Sequence, residues 1–300
     1  MPARREGATF VTGASSGIGR AICERLAGRG HPVFAGARKE GDLDELSKIK
    51  SVTPVRLDIT SSADVVRAAD IVRSSGISLV GLVNNAGVAG ISPLMDTPEQ
   101  EFTRVLDVNL VGAHRMVHAF RDLLIKSHGR IVNITSIGGM MTETWLGPYG
   151  TSKHALEGYS EILHDELATK GFHVSTIAPG PFRTKIGTNF YDFAGGHPEK
   201  SWADSIFREQ AQAVFDWFVS TPGALDRSMY PDPIPVADAV LDALFSETPK
   251  SRYLVTTRED AETVLDRMLQ RIIEVNQGQD VPLTGPELVS RLQKLLGKSD

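Results

Sequence analysis

Ala8-Thr9-Phe10-Val11-Thr12-Gly13-Ala14-Ser15-Ser16-Gly17-Ile18-Gly19 is the stretch that decides the fold. A short run of β-branched and large apolar residues leads into a turn with three glycines. Ile18, Ile22 and Leu26 then recur at four-residue spacing. The first pattern is that of a buried strand and the last that of an amphipathic helix. Glycines between the two serve three physical ends: a tight turn, close approach of the backbone to a pyrophosphate, and close packing of helix on strand. The helix that follows offers unpaired N–H groups and a partial positive charge to an anion. Glycine clusters also make ordinary turns. The strand–turn–helix setting is what points to a dinucleotide, with Gly13, Ser15, Ser16, Gly17, Ile18 and Gly19 as its cradle.

Further strands are expected at Pro32–Ala35, Thr53–Leu57, Leu79–Asn84, Arg130–Thr135 and His173–Ala178, beside the first at Thr9–Thr12. Amphipathic segments separate them, among them Leu156, Ser160 and His164 with Leu163 and Leu167 alongside. Such alternation predicts right-handed crossovers and a parallel sheet with helices on both faces. Strands this apolar have no wet face. A helix (Val236–Ser246), a strand (Arg252–Thr256) and a long helix carrying Ala261, Val264, Leu265, Met268 and Ile272 follow. A connector at Asp280–Pro286 precedes a last helix with Leu288, Leu292 and Leu295. The expected fold is therefore α/β, a Rossmann-like doubly wound parallel sheet of about seven strands with extra C-terminal helices. One catalytic domain spans 1–300, with 182–230 as substrate loop and helices and 257–300 as a helical extension. Half of the aromatic residues fall in 182–230; Phe207, Ala211, Val214 and Phe218 share a helical face, and Gly187–Lys200 reads as a mobile loop.

The 300 residues are 41% hydrophobic and 23% charged, an ordinary globular composition. The lone Cys23 excludes an internal disulfide and a cysteine-built zinc cage. A net charge of −5 leaves no positive excess for nucleic-acid phosphates. No stretch reaches the roughly 18 apolar residues of a membrane helix, and no signal-peptide pattern opens the chain. The expectation is a cytoplasmic protein with a small-molecule substrate.

The glycine spacing, G-x3-G-x-G behind Thr12, resembles that of the short-chain dehydrogenase/reductase family. Further matches are Asn84-Asn85-Ala86-Gly87 at the end of the fourth strand, Asn109, Ser136, Tyr149-x-x-x-Lys153, and Pro179-Gly180 followed by Thr184. The resemblance covers roughly residues 8–184. GLVNNAG and YGTSKHALEGYSE look most like the branch of retinol, hydroxysteroid and 3-hydroxybutyrate dehydrogenases. It implies a catalytic tetrad of Asn109, Ser136, Tyr149 and Lys153. It also implies cofactor contacts from Asp58, Ile59, Asn85, Ala86, Gly87, Tyr149, Lys153, Pro179, Gly180 and Thr184. Asp58 can equally be a turn-forming aspartate, and Asn109 one that caps or bends a helix. The family's dimer and tetramer contacts would fall on helices at Pro98–Lys126 and Tyr149–Lys170, so a homodimer or homotetramer is implied.

Tyr149 and Lys153, four apart, share one helix face. Lowering a phenol by three pKa units takes about 4 kcal/mol. An ammonium about 4 Å away supplies about that much at an effective dielectric of 20. The phenol can then exchange a proton with an alcohol or carbonyl oxygen. By resemblance, Ser136 holds that oxygen and Asn109 holds a water that links Lys153 to solvent. His154 points about 100° from Lys153 and reads as packing. Cys23 reads as a small buried hydrophobe.

The acid that grips an NAD ribose in the family would fall at Ala37, and Arg38 beside it can fork onto a phosphate. NADP (NADPH) is favoured. NAD stays open, because the turn carries Ser15-Ser16 rather than a basic residue, and Glu40 and Asp42 are close. Met140, Met141, Trp145 and Phe182 are the candidate substrate lining and favour a lipophilic alcohol or carbonyl of steroid, retinoid or hydroxy-acid type. These side chains can also fill cores or an interface. An oxidoreductase acting on a secondary alcohol or its carbonyl is the reading. A same-superfamily epimerase or dehydratase, or a non-catalytic NADP-binding regulator, is the alternative.

Overall fold

The computed structural model describes residues 6–90, 92–142, 144–186, 204–224 and 227–297. The chain separates into two compact units, residues 1–257 and 258–300. In the first, β1 (Ala8–Val11), β2 (Val33–Ala37), β3 (Val52–Arg56), β4 (Leu79–Asn84), β5 (Arg130–Ile134), β6 (Val174–Pro179) and β7 (Arg252–Val255) form one sheet in the order β3-β2-β1-β4-β5-β6-β7. Every pairing is parallel. The expected doubly wound fold is the one observed. The order reverses between β1 and β4, and a crevice outside the strand ends at such a switch point is where open α/β sheets bind ligands.

Among the described residues the helices of this unit are α1 (Gly17–Gly28), α2 (Glu40–Ser47), α3 (Ser62–Ser74), α4 (Glu99–Leu106), α5 (Gly112–Ser127), α6 (Gly147–Ala168), α7 (Arg208–Ser220) and α8 (Ile234–Phe245). Alternate strand residues feed two separate cores, which is why the strands are apolar on both faces. Val11, Ala35, Val83, Val132 and Ile177 meet Ile22 and Leu26 of α1 and Val240 and Leu244 of α8. Phe10, Phe34, Leu82 and Ile131 meet Val65 of α3 and Met116 and Phe120 of α5. Phe10 and Phe34 are paired across β1 and β2, with stacked rings 6.4 Å apart, and Phe120 meets Phe10 edge-on at 4.9 Å. Burying an aromatic of this size contributes about 2–3 kcal/mol.

Two differences from the sequence expectation bear on function. β2 runs two residues further than Ala35, because Gly36 and Ala37 pair with Val55 and Arg56. Ala37 is thus buried in the sheet, and Arg38 is the first exposed residue after it. The helix expected over Pro98–Lys126 is interrupted by a π-helical turn at Asp107–Val111, which holds the buried Asn109. Such bulges cluster at functional sites because they widen one turn and re-aim its groups.

The second unit contains α9 (Arg258–Gln277) and α10 (Gly285–Leu296), the C-terminal helices expected from the leucine spacing. Asn276 ties their connector, donating to the Leu283 carbonyl at 2.9 Å and accepting from its N–H at 2.9 Å. The Glu287 carboxylate accepts from the Thr284 N–H at 2.7 Å and caps α10. Among the described residues no helix is long and apolar enough to cross a membrane. The stretch Gly187–Lys200, with Phe190, Tyr191 and Phe193, lies outside the described residues.

Candidate active site

The loops after β1, β4, β5 and β6 converge at the carboxyl end of the sheet. The glycine turn is built for a backbone that must run close to other groups. Gly13 has φ +63° and Gly17 φ +54°, the left-handed region that favours glycine. A Cβ on Gly19 would lie 2.3 Å from the Gly13 carbonyl oxygen and 2.5 Å from Asn85 Nδ2. Ser16, at the N-cap of α1, makes no side-chain capping hydrogen bond. The first-turn N–H groups therefore lack an internal acceptor from it, as a pyrophosphate-binding terminus requires. These observations fit a dinucleotide.

Thr12 and Asn85 brace this turn against the end of β4. Thr12 Oγ1 accepts from the Asn85 N–H at 2.9 Å and the Ala86 N–H at 3.0 Å. Asn85 Nδ2 donates to the carbonyls of Thr12 at 2.9 Å and Gly13 at 3.1 Å. The Asn85 side chain is thus committed to shaping the turn. Thr184, at the end of the loop after β6, lies against Gly17: a Cβ there would be 3.0 Å from the Thr184 Cβ. The Gly180 N–H is fixed by the Val255 carbonyl at 2.8 Å.

Ser136 follows β5 and caps a short 3-10 turn, accepting from the Gly138 N–H at 3.1 Å. A Cβ on Gly138 would sit 3.5 Å from Ser136 Oγ and 3.7 Å from Tyr149 Cε1, so both side chains flank that one glycine. Tyr149 lies in the first turn of α6, where Pro148 is tolerated because its missing N–H has no helical partner. One turn on, Lys153 Nζ lies 5.8 Å from the Tyr149 ring centre and donates to the Ile134 carbonyl at 2.8 Å. A cation held there is of the sign that stabilises an ionised phenol. Lys153 is only 4% exposed. Burial pulls its ammonium down to about 8, partly opposed by the Glu157 carboxylate one turn further along. Glu157 is itself buried and meets Arg252 Nη2 at 3.0 Å.

Asn109 binds with its side chain rather than leaving it free. Its Oδ1 accepts from the Val88 N–H at 2.8 Å, and its Nδ2 donates to the Val88 carbonyl at 2.9 Å and to Ser152 Oγ at 2.9 Å. It clamps the loop after β4 to α6. A Cβ on Gly87 would be 3.3 Å from Asn109 Oδ1 and 3.7 Å from Lys153 Nζ, so these groups adjoin one another.

The remaining expected residues divide. Arg38 stands exposed at the end of β2. Asp58 makes a local turn, its Oδ1 accepting from the Thr60 N–H at 2.9 Å and Thr60 Oγ1 at 2.7 Å. The Ile59 side chain is buried in the core against Gly112. Phe182 is likewise buried, in the α1–α8 core, and its carbonyl accepts from Arg227 Nε at 3.0 Å. Met140 is nearly buried and Met141 half-buried. Trp145 has φ +75°, rare for a bulky residue, and meets Phe207 edge-on at 5.6 Å. His154 Nδ1 lies 2.9 Å from the Gly150 carbonyl of its own helix. Cys23 is buried, which pushes its thiol up to about 12. Two groups were not expected as site residues. The Thr12 brace had a signal in its place beside Gly13; Arg227, which donates to the Phe182 carbonyl, lies in a segment with no motif.

Residues 8–194 match the family model described as short chain dehydrogenase. The NADPH-dependent 3-dehydrocapnine reductase of Ornithobacterium rhinotracheale is 32% identical over 280 residues, covering 87% of this chain and 94% of the relative. The mitochondrial D-beta-hydroxybutyrate dehydrogenase of Mus musculus is 30% identical over 260 residues, covering 82% and 76%. A solved short-chain dehydrogenase/reductase of Burkholderia phymatum, in complex with NAD, superposes with a TM-score of 0.72 at 25% identity, covering 94% and 99%. Fold, glycine turn and sequence match agree, and the chain belongs to the short-chain dehydrogenase family.

Proposed function

We propose that the protein is an NADP(H)-dependent oxidoreductase that interconverts a secondary alcohol and its carbonyl, with Ser136, Tyr149 and Lys153 at the reacting oxygen. The observation that carries this reading is that Ser136 Oγ and the Tyr149 ring both lie against Gly138, with the Lys153 ammonium one helical turn behind. In the reductive direction a bound NADPH supplies the hydride. Ser136 holds the carbonyl oxygen by its hydroxyl. Tyr149 donates its phenolic proton to that oxygen, and the Lys153 charge stabilises the phenolate left behind. In the oxidative direction the phenolate takes the alcohol proton. Asn109 positions the Val88 loop beside Lys153, where a water can carry the proton on to solvent.

Arg38, exposed at the strand end with the buried Ala37 in place of an acid, supports NADP over NAD. The reductase relative is named NADPH-dependent, whereas the Burkholderia phymatum structure holds NAD. The turn at Gly13–Gly19, the brace residues Asn85, Ala86 and Gly87, the main chain at Asp58 and Ile59, and Pro179, Gly180 and Thr184 would hold the nucleotide. On this reading 1–300 is one catalytic domain, with 182–230 as substrate loop and helices and 257–300 as a helical extension. Exposed Val111, Ile125 and Ile162 on α5, α6 and their approach support self-association into a homodimer or homotetramer. Trp145, Met140 and Met141 support a substrate with a lipophilic part. The single, buried thiol is consistent with a reducing, cytoplasmic setting.

The test is NADPH oxidation against a panel of ketones and aldehydes. Tyr149→Phe is expected to lose at least about 1,000-fold in kcat while binding NADPH as before. Equal turnover by that variant overturns the mechanism. Tight NADPH binding with no turnover of any compound favours the non-catalytic regulator.

A further inference from the structure

Arg227 sits where no sequence motif marks a functional residue, between α7 and α8. Its backbone has φ +59°, a conformation unusual for a residue with a side chain this long. Its Nε donates to the Phe182 carbonyl at 3.0 Å, and its guanidinium carbon lies 4.2 Å above the Tyr230 ring. Nearby, the Arg183 N–H donates to the Pro231 carbonyl at 2.8 Å, so the 227–232 segment folds onto the loop after β6. That loop continues to Thr184, which packs on Gly17 of the glycine turn. One edge and one face of the guanidinium are therefore fixed, beside a loop that borders the dinucleotide cradle.

The terminal nitrogens find no carboxylate among the described residues. Asp232, the acid of this segment, is taken by Arg183. Arg227 is half-buried, and burial lowers its guanidinium, opposed by the phenols of Tyr230 and Tyr149. Tyr149 is thus within electrostatic range of this cation. A partly desolvated guanidinium held by one carbonyl and a ring is prepared for an oxyanion, which its two terminal N–H groups grip as a fork. Stacking on Tyr230 holds the fork in one plane.

We propose that Arg227 is a specificity-determining residue that binds a carboxylate on the substrate, so that the natural substrate is an oxo acid or hydroxy acid rather than a neutral ketone or alcohol. This rests on the oxidoreductase reading above for the reaction, but the cation's preference for an anion can be measured without turnover. Charge-assisted hydrogen bonds of this kind contribute enough to shift affinity by roughly 10- to 100-fold.

Two measurements on the full-length protein decide it. The first compares kcat/KM for 3-oxooctanoate and its methyl ester with NADPH, in the wild type, Arg227→Gln and Arg227→Lys. The acid-to-ester ratio is expected to favour the acid in the wild type, to fall about 30-fold in Arg227→Gln, mainly through KM of the acid, and to recover in part in Arg227→Lys. The second is octanoate binding to the protein–NADPH complex, read by nicotinamide fluorescence. Arg227→Gln is expected to weaken it by a similar factor while retaining NADPH affinity. An equal loss for acid and ester, octanoate binding that survives Arg227→Gln, or a loss that falls on NADPH itself each overturns the proposal. Absence of turnover for every compound counts against the oxidoreductase reading instead, and octanoate binding still decides for or against Arg227. Should Arg227→Gln not fold, the octanoate affinity of Arg227→Lys, which keeps the charge and loses the fork, is expected to fall between wild type and no binding; full wild-type affinity refutes the fork.

Discussion

Removing the Lys153 charge is expected to change how stability depends on pH, and in a direction opposite to the usual gain from an ion pair. Burial holds the ammonium at about 8 in the folded protein, against 10.5 for the exposed group. The folded pKa lies below the unfolded one, so between those values the unfolded chain binds more protons and stability rises with pH. Below about pH 8 both states are charged, and folding carries the full cost of burying the charge. The two pKa values translate to about 3 kcal/mol. Between about pH 7 and about pH 9.5 roughly 2 kcal/mol of that cost disappears. Lys153→Met keeps the length of the stem and cannot titrate. It strands the Ile134 carbonyl, which costs about 1 kcal/mol or more, but at every pH alike. Tyr159 and Tyr253, both pushed up to about 12 chiefly by burial, are present in both proteins and cancel. The assay is urea unfolding without nucleotide at several pH values and constant ionic strength. The stability difference, wild type minus variant, is expected to rise by about 2 kcal/mol across that window. A flat difference, or one that falls, refutes the view that Lys153 is a buried cation held at the expense of stability.

Three further outcomes follow from the geometry. Gly19→Ala places a Cβ 2.3 Å from the Gly13 carbonyl oxygen, so calorimetric titration is expected to show NADPH binding at least about tenfold weaker; unchanged affinity would mean the turn relaxes freely. Thr12→Val leaves the Asn85 and Ala86 N–H groups without their acceptor and is expected to cost about 2–4 kcal/mol in urea unfolding, with less than about 1 kcal/mol arguing that water replaces the hydroxyl. Arg38→Asp is expected to lower the ratio of kcat/KM with NADPH to that with NADH by about tenfold or more, and an unchanged ratio removes Arg38 from coenzyme selection.

The sheet was legible because each strand is a short apolar run between amphipathic segments, and a parallel sheet buried on both faces requires that pattern. Register and length were less so. β2 ends at Ala37 because of its pairing with β3, a contact between residues about twenty apart that no local pattern reports. The π turn around Asn109 is also invisible in composition, since Asp107–Val111 reads as plain helix. At the site, the spacing of Tyr149 and Lys153 on one helix could be read directly, and Gly138 between Ser136 and Tyr149 shows in the structure why they adjoin. What failed was the step from residue type to exposure. The Phe182 side chain fills the α1–α8 core and the Ile59 side chain packs on Gly112, which leaves only the main chain of Ile59 for a nucleotide. Asn85 serves the turn rather than pointing outward. Arg227 went unseen because its environment is assembled by Phe182 and Tyr230, which only folding brings to it.

The crossover from β6 to β7 is long, running from residue 180 to 251, and it returns to the sheet through α8, which covers one face together with α1 and α2. On the proposed reading, Arg227 in this crossover meets the substrate carboxylate, while Ser136, Tyr149 and Lys153, which handle the proton, lie upstream of it. An insertion or exchange within that excursion can alter which molecule is accepted while the strand order, the glycine turn and the proton-handling side chains stay as they are. Diversification of such an enzyme is then a problem of remodelling one detour, with the rest of the architecture serving as an unchanging chassis.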